Sequence, residues 1–418
     1  MRVIVVGSGV VGVTSAYYMA RAGAEVVVLD QNPEPAMGAS FANAGSMTAS
    51  RSGPWASPRT LVKALKGYFE DDAAFRLRLA ADPKLWTWLL GFAVSAFSAN
   101  TAAKRKAMIE LALANAIERE RIDADLALEY GPMHKGLLTL YHNTDDFERA
   151  RHDLGTLRAL GINVEALDAS ACRVAEPAVA WDGLGVCGGL LARDDTTADC
   201  RSFTLALADR ATAAGVQFRH GTRVQGIRPR HQGMCEVALQ GDVLKADALI
   251  IAAGLETTKL VGPLGVRLPI YPVKGYSISA RTGGGRQPML TVAHEAKKVF
   301  VSPMNGGLRA AGIADITGYD LAIDPVRVDV LRRILSALYP TAEMSGTLQV
   351  WSGLRAMTHD GPPLIFGIPD AGIWINTGHG SLGWTFACAA AKMTCDLVTA
   401  NRAESQNPFF GLSKRWHG

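Results

Sequence analysis

The chain has 418 residues, more than one average core accommodates, which predicts about two domains. Lys and Arg total 43 against 39 Asp and Glu, and the basic residues are scattered, which excludes a nucleic-acid footprint and leaves only a mild attraction to an anionic membrane. The six cysteines (Cys172, Cys187, Cys200, Cys235, Cys388, Cys395) contain no Cys-x-x-Cys and no metal-ligand spacing, so neither zinc nor a disulfide framework is expected.

Residues 2–6 read as an apolar strand running into Gly7-Ser8-Gly9-Val10-Val11-Gly12, then an apolar helix stopped at Gly23, then a second strand at 25–29 ending on Asp30. This is the order a dinucleotide site requires. Gly7 permits the tight turn, Gly9 lets the main chain approach a pyrophosphate, and Gly12 lets the helix lie close on the strand. The first helical turn, at Val10 and Val11, supplies N–H groups and a partial positive charge. Asp30, placed to accept from a ribose diol, would repel a 2′-phosphate, which argues against NADP. A nucleotide fold that begins at its first strand is not expected to lose a signal peptide, so the expected location is cytoplasmic.

The small-residue loop at 38–46, with Ser40, Asn43, Ala44 and Gly45, is placed to lie against a bound cofactor. Residues 60–129 read as mostly helical, broken at Pro83, with 105–128 as a charged amphipathic helix. Within this stretch, 85–103 has no charged residue and carries Trp86, Trp88, Phe92 and Phe97. It is about long enough to cross a bilayer, but Ser95, Ser98, Asn100 and Thr101 weaken its second half. A buried or interfacial helix is expected, with contact to a membrane surface as the alternative.

Strands at 136–142 and 187–191 flank a helix at 145–160. Asp194, Asp195, Thr196, Thr197 and Asp199 precede a helix at 200–214, capped by Asp199 and stopped at Gly215. That cluster reads as capping and turn chemistry, with a substrate or flavin contact as the alternative. Strands follow at 224–227, beginning with Val224, and at 234–239 and 243–245. The run 248–254, ending on Ala253 and Gly254, suits a buried parallel strand. Strands at 276–280, 299–304 and 308–312, the last two joined by Asn305-Gly306 with φ > 0 available at both positions, predict an antiparallel sheet in a second domain. A helix at 325–338 starts on Asp324 and Pro325. Linkers near 254–265 and 341–346 are the boundary candidates.

Two late segments carry chemistry. The first, 351–362, contains Arg355. The second, Asn376-Thr377-Gly378-His379-Gly380-Ser381-Leu382-Gly383-Trp384-Thr385, leads into an Ala-rich helix and is a second anion cradle, far in sequence from the first. NAD alone would not need it. A flavin would, because a helix N-terminus can stabilise the reduced ring.

The segments RVIVVGSGVVGVTSAYY, FANAG, PWASP, DDTTADC, YPVKGYS, WSGLRAMTHDG and NTGHGSLGWT, in this order along nearly the whole chain, resemble the amino-acid-oxidising flavoproteins of the D-amino-acid oxidase and glycine oxidase group. The resemblance implies an α/β fold with a Rossmann-like FAD-binding domain (1–60, 185–260 and 345–418). A discontinuous α+β substrate domain (61–184 and 261–344) would be built on an antiparallel sheet. It further implies noncovalent FAD, a D-amino acid oxidised to its imine and then to a 2-oxo acid and ammonia, and electrons passed to a quinone-type acceptor at the inner face of the cell membrane.

In that family the arginine matching Arg355 pairs with the substrate carboxylate, and a bidentate guanidinium suits this. The family's following proline is Ala356 here, a departure that bears on the pose of Arg355. Tyr271 and Tyr276 are candidates for a second anchor, and His379 for a flavin contact or a base. The alternatives are the same chemistry on a cyclic or N-substituted amino acid such as D-hydroxyproline, or a non-turnover flavin subunit of a membrane complex.

Overall fold

The computed structural model describes residues 1–67, 72–281, 286–342 and 349–411. A six-stranded sheet has the order Leu364–Ile368, Ile373–Thr377, Ala248–Ile251, Arg2–Val6, Glu25–Leu29, Gln217–Arg219, parallel throughout except for its first pair. Strand periodicity sorts its side chains between two cores. Val3, Val5, Val26, Val28 and Ile250 pack with the helices Val10–Arg21, Cys200–Ala213 and Gly383–Thr399. Ile4, Val6, Val27, Leu29 and Ile251 pack instead on a three-stranded antiparallel sheet of Gly226–His231, Met234–Ala238 and Val243–Ala246. With both faces covered, these strands are apolar at nearly every position.

The second sheet has ten strands. Its path is Gln349–Thr358, Ile270–Arg281, Gly307–Ile316, Val299–Met304, Thr291–His294, His134–Tyr141, Gly188–Thr197 and Ser46–Met47, with Phe75–Leu77 and Val164–Asp168 joined at its sides. Strand pairing crosses the expected segment limits, since 188–197 and 349–358 belong to this larger sheet. Conversely, the helix Thr101–Leu126 packs against Gly383–Thr399, where Asn115 Oδ1 accepts from Cys388 N at 2.7 Å. The boundary expected at 341–346 lies from 343 onward outside the described residues.

Several local expectations are corrected. The stretch 194–197 is the end of a ten-residue strand rather than turn chemistry, while Asp199 does cap the next helix by accepting from Ser202 N. Val224 precedes its strand, which starts at Gly226. The helix at 145–160 is two, Thr144–His152 and Leu154–Ala159, with Asp153 between them. At the 304–307 hairpin only Gly306 has positive φ.

The stretch 85–103 is also divided: a helix, Pro83–Ala96, ends before a turn, and Thr101 begins the next. Pro83 starts that helix rather than breaking one, with Asp82 capping Lys84 N. Leu85, Trp88, Phe92 and Ala96 are buried, whereas Trp86, Leu90, Val94 and Phe97 face outward. Among the described residues no helix is long and apolar enough to cross a membrane.

Candidate active site

Arg2–Val6 and Ile373–Thr377 both run parallel to Ala248–Ile251, which lies between them, so the loops that follow all three strands open at one edge. Loops about 370 positions apart therefore open on one edge. A cavity of about 1430 Å³ lies at this edge, against the second sheet. Its wall includes Gly7, Gly9, Val10 and Val11 from the first loop, and Gly378, His379, Gly380, Leu382, Gly383 and Trp384 from the last. Asp30, Ser40, Asn43, Ala44, Gly45, Val224, Ala253, Gly254 and Arg355 complete the expected set. Gly12, Thr385 and Tyr271 are not on the wall.

The glycines divide the work. A Cβ at Gly7, where φ is +105°, would lie 2.6 Å from Ala252 O, and one at Gly12 would run into Gly7 O. Both positions let the helix and strands approach. A Cβ at Gly9 would meet nothing closer than Ser40 Oγ at 3.5 Å, so Gly9 leaves open room beside the wall. Ser40 Oγ accepts from Val10 N at 3.1 Å, leaving the first-turn N–H of Val11 with no main-chain partner among the described residues. Asp30 accepts from Ser8 N and Oγ on one oxygen and from Asn32 N and Nδ2 on the other. It thus ties the glycine loop to the end of the second strand, and a ribose diol would compete with Asn32. Thr385 faces inward, where its hydroxyl accepts from Thr48 N.

The second sheet supplies the floor. Arg355 lies in Gln349–Thr358 and reaches across Ile270–Arg281, donating to the carbonyls of Lys274 (3.3 Å), Ile313 (2.9 Å) and Gly312 (3.4 Å). It can do so because it crosses Gly275, where a Cβ would come within 2.5 Å of its guanidinium carbon. Ile313 has φ +57°, a left-handed conformation that a β-branched residue rarely adopts, at a break in strand register that turns its carbonyl towards Arg355. Among the described residues no carboxylate lies within ion-pair distance of this guanidinium. Burial pulls its pKa down to about 10, only partly opposed by the field of Asp315.

Neither tyrosine presents its hydroxyl to this cavity. Five residues apart on one strand, they project from opposite faces. Tyr271 lies under the helix Pro83–Ala96 and donates to Asp82 at 3.0 Å. Tyr276 borders the cavity, but its hydroxyl donates to Asp315 at 2.9 Å, beside the buried Arg327. His379 does reach the wall. Its Nε2 pairs with Asn376 Oδ1 at 2.9 Å, while its Nδ1 and Asn376 Nδ2 are buried without partners among the described residues. Burial lowers the His379 pKa to about 4, so the ring is neutral near pH 7.

Residues on the wall that sequence reasoning did not single out include Gly275 and the group Arg51, Glu295 and Lys298. Asn376 stood next to the glycine cradle and was readable there. The last three come from segments that only tertiary pairing joins.

The family model described as FAD dependent oxidoreductase matches residues 2–397. The chain belongs to that family. It is 37% identical to the D-amino acid dehydrogenase of Bradyrhizobium diazoefficiens, over 97% of this chain and 96% of the relative. Identity to the D-amino acid dehydrogenase of Cereibacter sphaeroides (strain ATCC 17023) is 36%, over 99% and 95%. Among solved structures, glycine oxidase from Geobacillus kaustophilus shares the fold with a TM-score of 0.76 at 22% identity, covering 99% of each chain. The FAD-bound L-alpha-glycerophosphate oxidase of Mycoplasma pneumoniae gives 0.68 at 19%, covering 98% of each.

FAD, the family's cofactor, fits what this chain offers. The room beside Gly9, the unpartnered Val11 N–H and the second helix start at Gly383 are anion-binding features at two places on one wall. The cavity volume also exceeds that of a pocket for one small molecule.

Proposed function

We propose that this FAD-dependent oxidoreductase is a dehydrogenase of free D-amino acids, yielding the imine, which water converts to a 2-oxo acid and ammonia. Bound FAD supplies the two-electron acceptor for a hydride from the substrate Cα. Arg355 binds the substrate carboxylate by charge-assisted, bidentate hydrogen bonding. The observation that carries this reading is its guanidinium, held on the cavity floor by main-chain carbonyls alone. That is a buried cation that gains an anionic partner when substrate enters.

The Gly7–Val11 loop takes the pyrophosphate, and the Gly378–Trp384 loop, with Asn376 and His379, takes the flavin ring side. Ser40, Asn43, Ala44, Gly45, Val224, Ala253 and Gly254 line the cofactor between them. Neutral His379 has no proton to give from Nδ1. With its pKa held near 4, the ring is also too weak a base to take up the substrate amine's proton, which is lost to water. Electrons leave to a quinone-type acceptor, and the outward row of Trp86, Leu90, Val94 and Phe97 rests the protein on the membrane face where such an acceptor is found.

The experiment is anaerobic mixing of the yellow holoenzyme with D- and L-enantiomers of several amino acids, D-proline and hydroxyproline isomers. Bleaching of the flavin band by acyclic D-enantiomers supports the reading. Bleaching only by cyclic imino acids, or by none, contradicts it.

A further inference from the structure

One row of residues runs from strand to strand: Trp351, Ser277, Ala311, Phe300, Ala293 and Thr139 are direct partners in register and share a face, and Trp351, Ala311 and Phe300 line the cavity. Arg355, four residues along its strand from Trp351, stands on that face at one end. At the other end lies Arg51. Its guanidinium sits 5.4 Å from the Phe300 ring centroid, donates to Thr139 Oγ1 at 3.3 Å, and pairs with Glu295 at 2.8 Å. Arg355 bonds to carbonyls of Gly307–Ile316, and Arg51 lies over the strands about two spacings away. At roughly 4.8 Å per strand, the two guanidiniums are on the order of 10 Å apart. Between them the floor is the apolar surface of Ala311 and Phe300.

At the Arg51 end, Arg51, Arg59, Arg105, Arg149 and Lys298 on the wall outnumber Asp146, Asp153 and Glu295, even with the buried Asp195 behind Arg51 counted as a fourth carboxylate. Lys298 pairs with the other oxygen of Glu295, so two cations share one carboxylate. Burial alone would raise the Glu295 pKa, but Arg51 and Lys298 hold it down at about 2, so it remains ionised. Both Glu295 oxygens are therefore engaged by cations. The side chains of Arg51 and Glu295 are 23% and 19% exposed, enough to be reached from the cavity while remaining largely out of bulk water. The hydroxyl of Tyr141, on the same wall, has no hydrogen-bond partner among the described residues.

We propose that Arg51, Lys298 and Tyr141 form a second anion subsite that favours D-amino acids whose short aliphatic side chain ends in a carboxylate. The α-carboxylate sits on Arg355, the methylenes lie over Ala311 and Phe300, and the distal carboxylate meets Arg51 and the Tyr141 hydroxyl. This rests on the reading of Arg355 as carboxylate anchor, and the test separates the two.

Glutarate and pentanoate, matched in chain length, are titrated into the FAD-loaded protein by isothermal calorimetry, with 5-aminopentanoate as the cationic counterpart. Glutarate is expected to bind at least tenfold more tightly than pentanoate, and 5-aminopentanoate more weakly than either. Arg51→Met and, independently, Lys298→Met should each shrink the glutarate advantage while leaving the pentanoate Kd within about twofold, whereas Arg355→Ala weakens both acids. Equal Kd values for glutarate and pentanoate, or tighter binding of 5-aminopentanoate, would overturn the second subsite and leave the Arg355 anchor standing. If neither acid binds, or Arg355→Ala changes neither Kd, the anchor reading fails and takes the subsite with it.

Discussion

Arg355 is a buried charge on the cavity floor with no carboxylate within ion-pair distance among the described residues. Arg355→Ala should therefore raise KM for amino acids by about 100-fold or more while FAD stays bound, because losing one member of a buried charge pair costs roughly 2–5 kcal/mol. Steady-state kinetics beside the flavin spectrum check this, and an unchanged KM would dismiss the anchor. Gly275→Ala tests the same device from beneath: a methyl group 2.5 Å from the guanidinium carbon must push Arg355 off its carbonyl seat, so KM should rise with FAD retained. His379 makes a pH prediction. Its folded pKa of about 4 lies below the ordinary value of 6.5, so the folded state binds fewer protons in between. The stability it contributes is full above 6.5 and is lost as pH falls towards 4. His379→Gln should flatten the fall in melting temperature over that window, and an unchanged slope would show that other groups, such as His294, carry it.

At the scale of elements, the glycine loop and the apolar helix make separable claims. Gly12→Ala sets a methyl group against main chain that cannot yield, so it should cost about 1–3 kcal/mol of stability in urea denaturation. Gly9→Ala, with open space around it, should instead spare the fold and weaken FAD retention during dialysis. Equal effects on stability would dissolve the distinction. On Pro83–Ala96, outward Leu90 is 67% exposed, and Phe97, just past its end, is 73% exposed. Leu90→Glu with Phe97→Glu should abolish co-sedimentation with anionic liposomes while leaving the melting temperature nearly unchanged, since exposed substitutions are usually within about 0.5 kcal/mol. Retained binding would show that this row has no membrane role. The sequence displayed the apolar residues of this helix but not its end, because a turn at 97–100 interrupts the hydrophobic run without a Gly or Pro to mark it.

For the whole molecule, what was readable followed from locality. Both glycine loops announce themselves within a dozen residues, since turn, cradle and helix start are neighbours in the chain. Arg355 was found through the motif around it. Tyr271 and Tyr276 cannot both face the cavity, because alternation along a strand that extends from 270 rather than 276 puts them on opposite faces. Arg51, Glu295 and Lys298 converge only once a ten-stranded sheet is assembled from five stretches of chain, and no local pattern records that. Strands 188–197 and 349–358 border nucleotide-binding elements in sequence yet pair in this larger sheet, a partnership that proximity along the chain does not record.

The central claim is that head and tail of the chain close on one cofactor. Solving the structure of the FAD-loaded protein by crystallography tests it most directly. One FAD should be found with its pyrophosphate against Gly9 to Val11 and its ring system against Gly378 to Trp384, above Arg355. An FAD that touches only one of the two loops, or a different ligand at each, would contradict it.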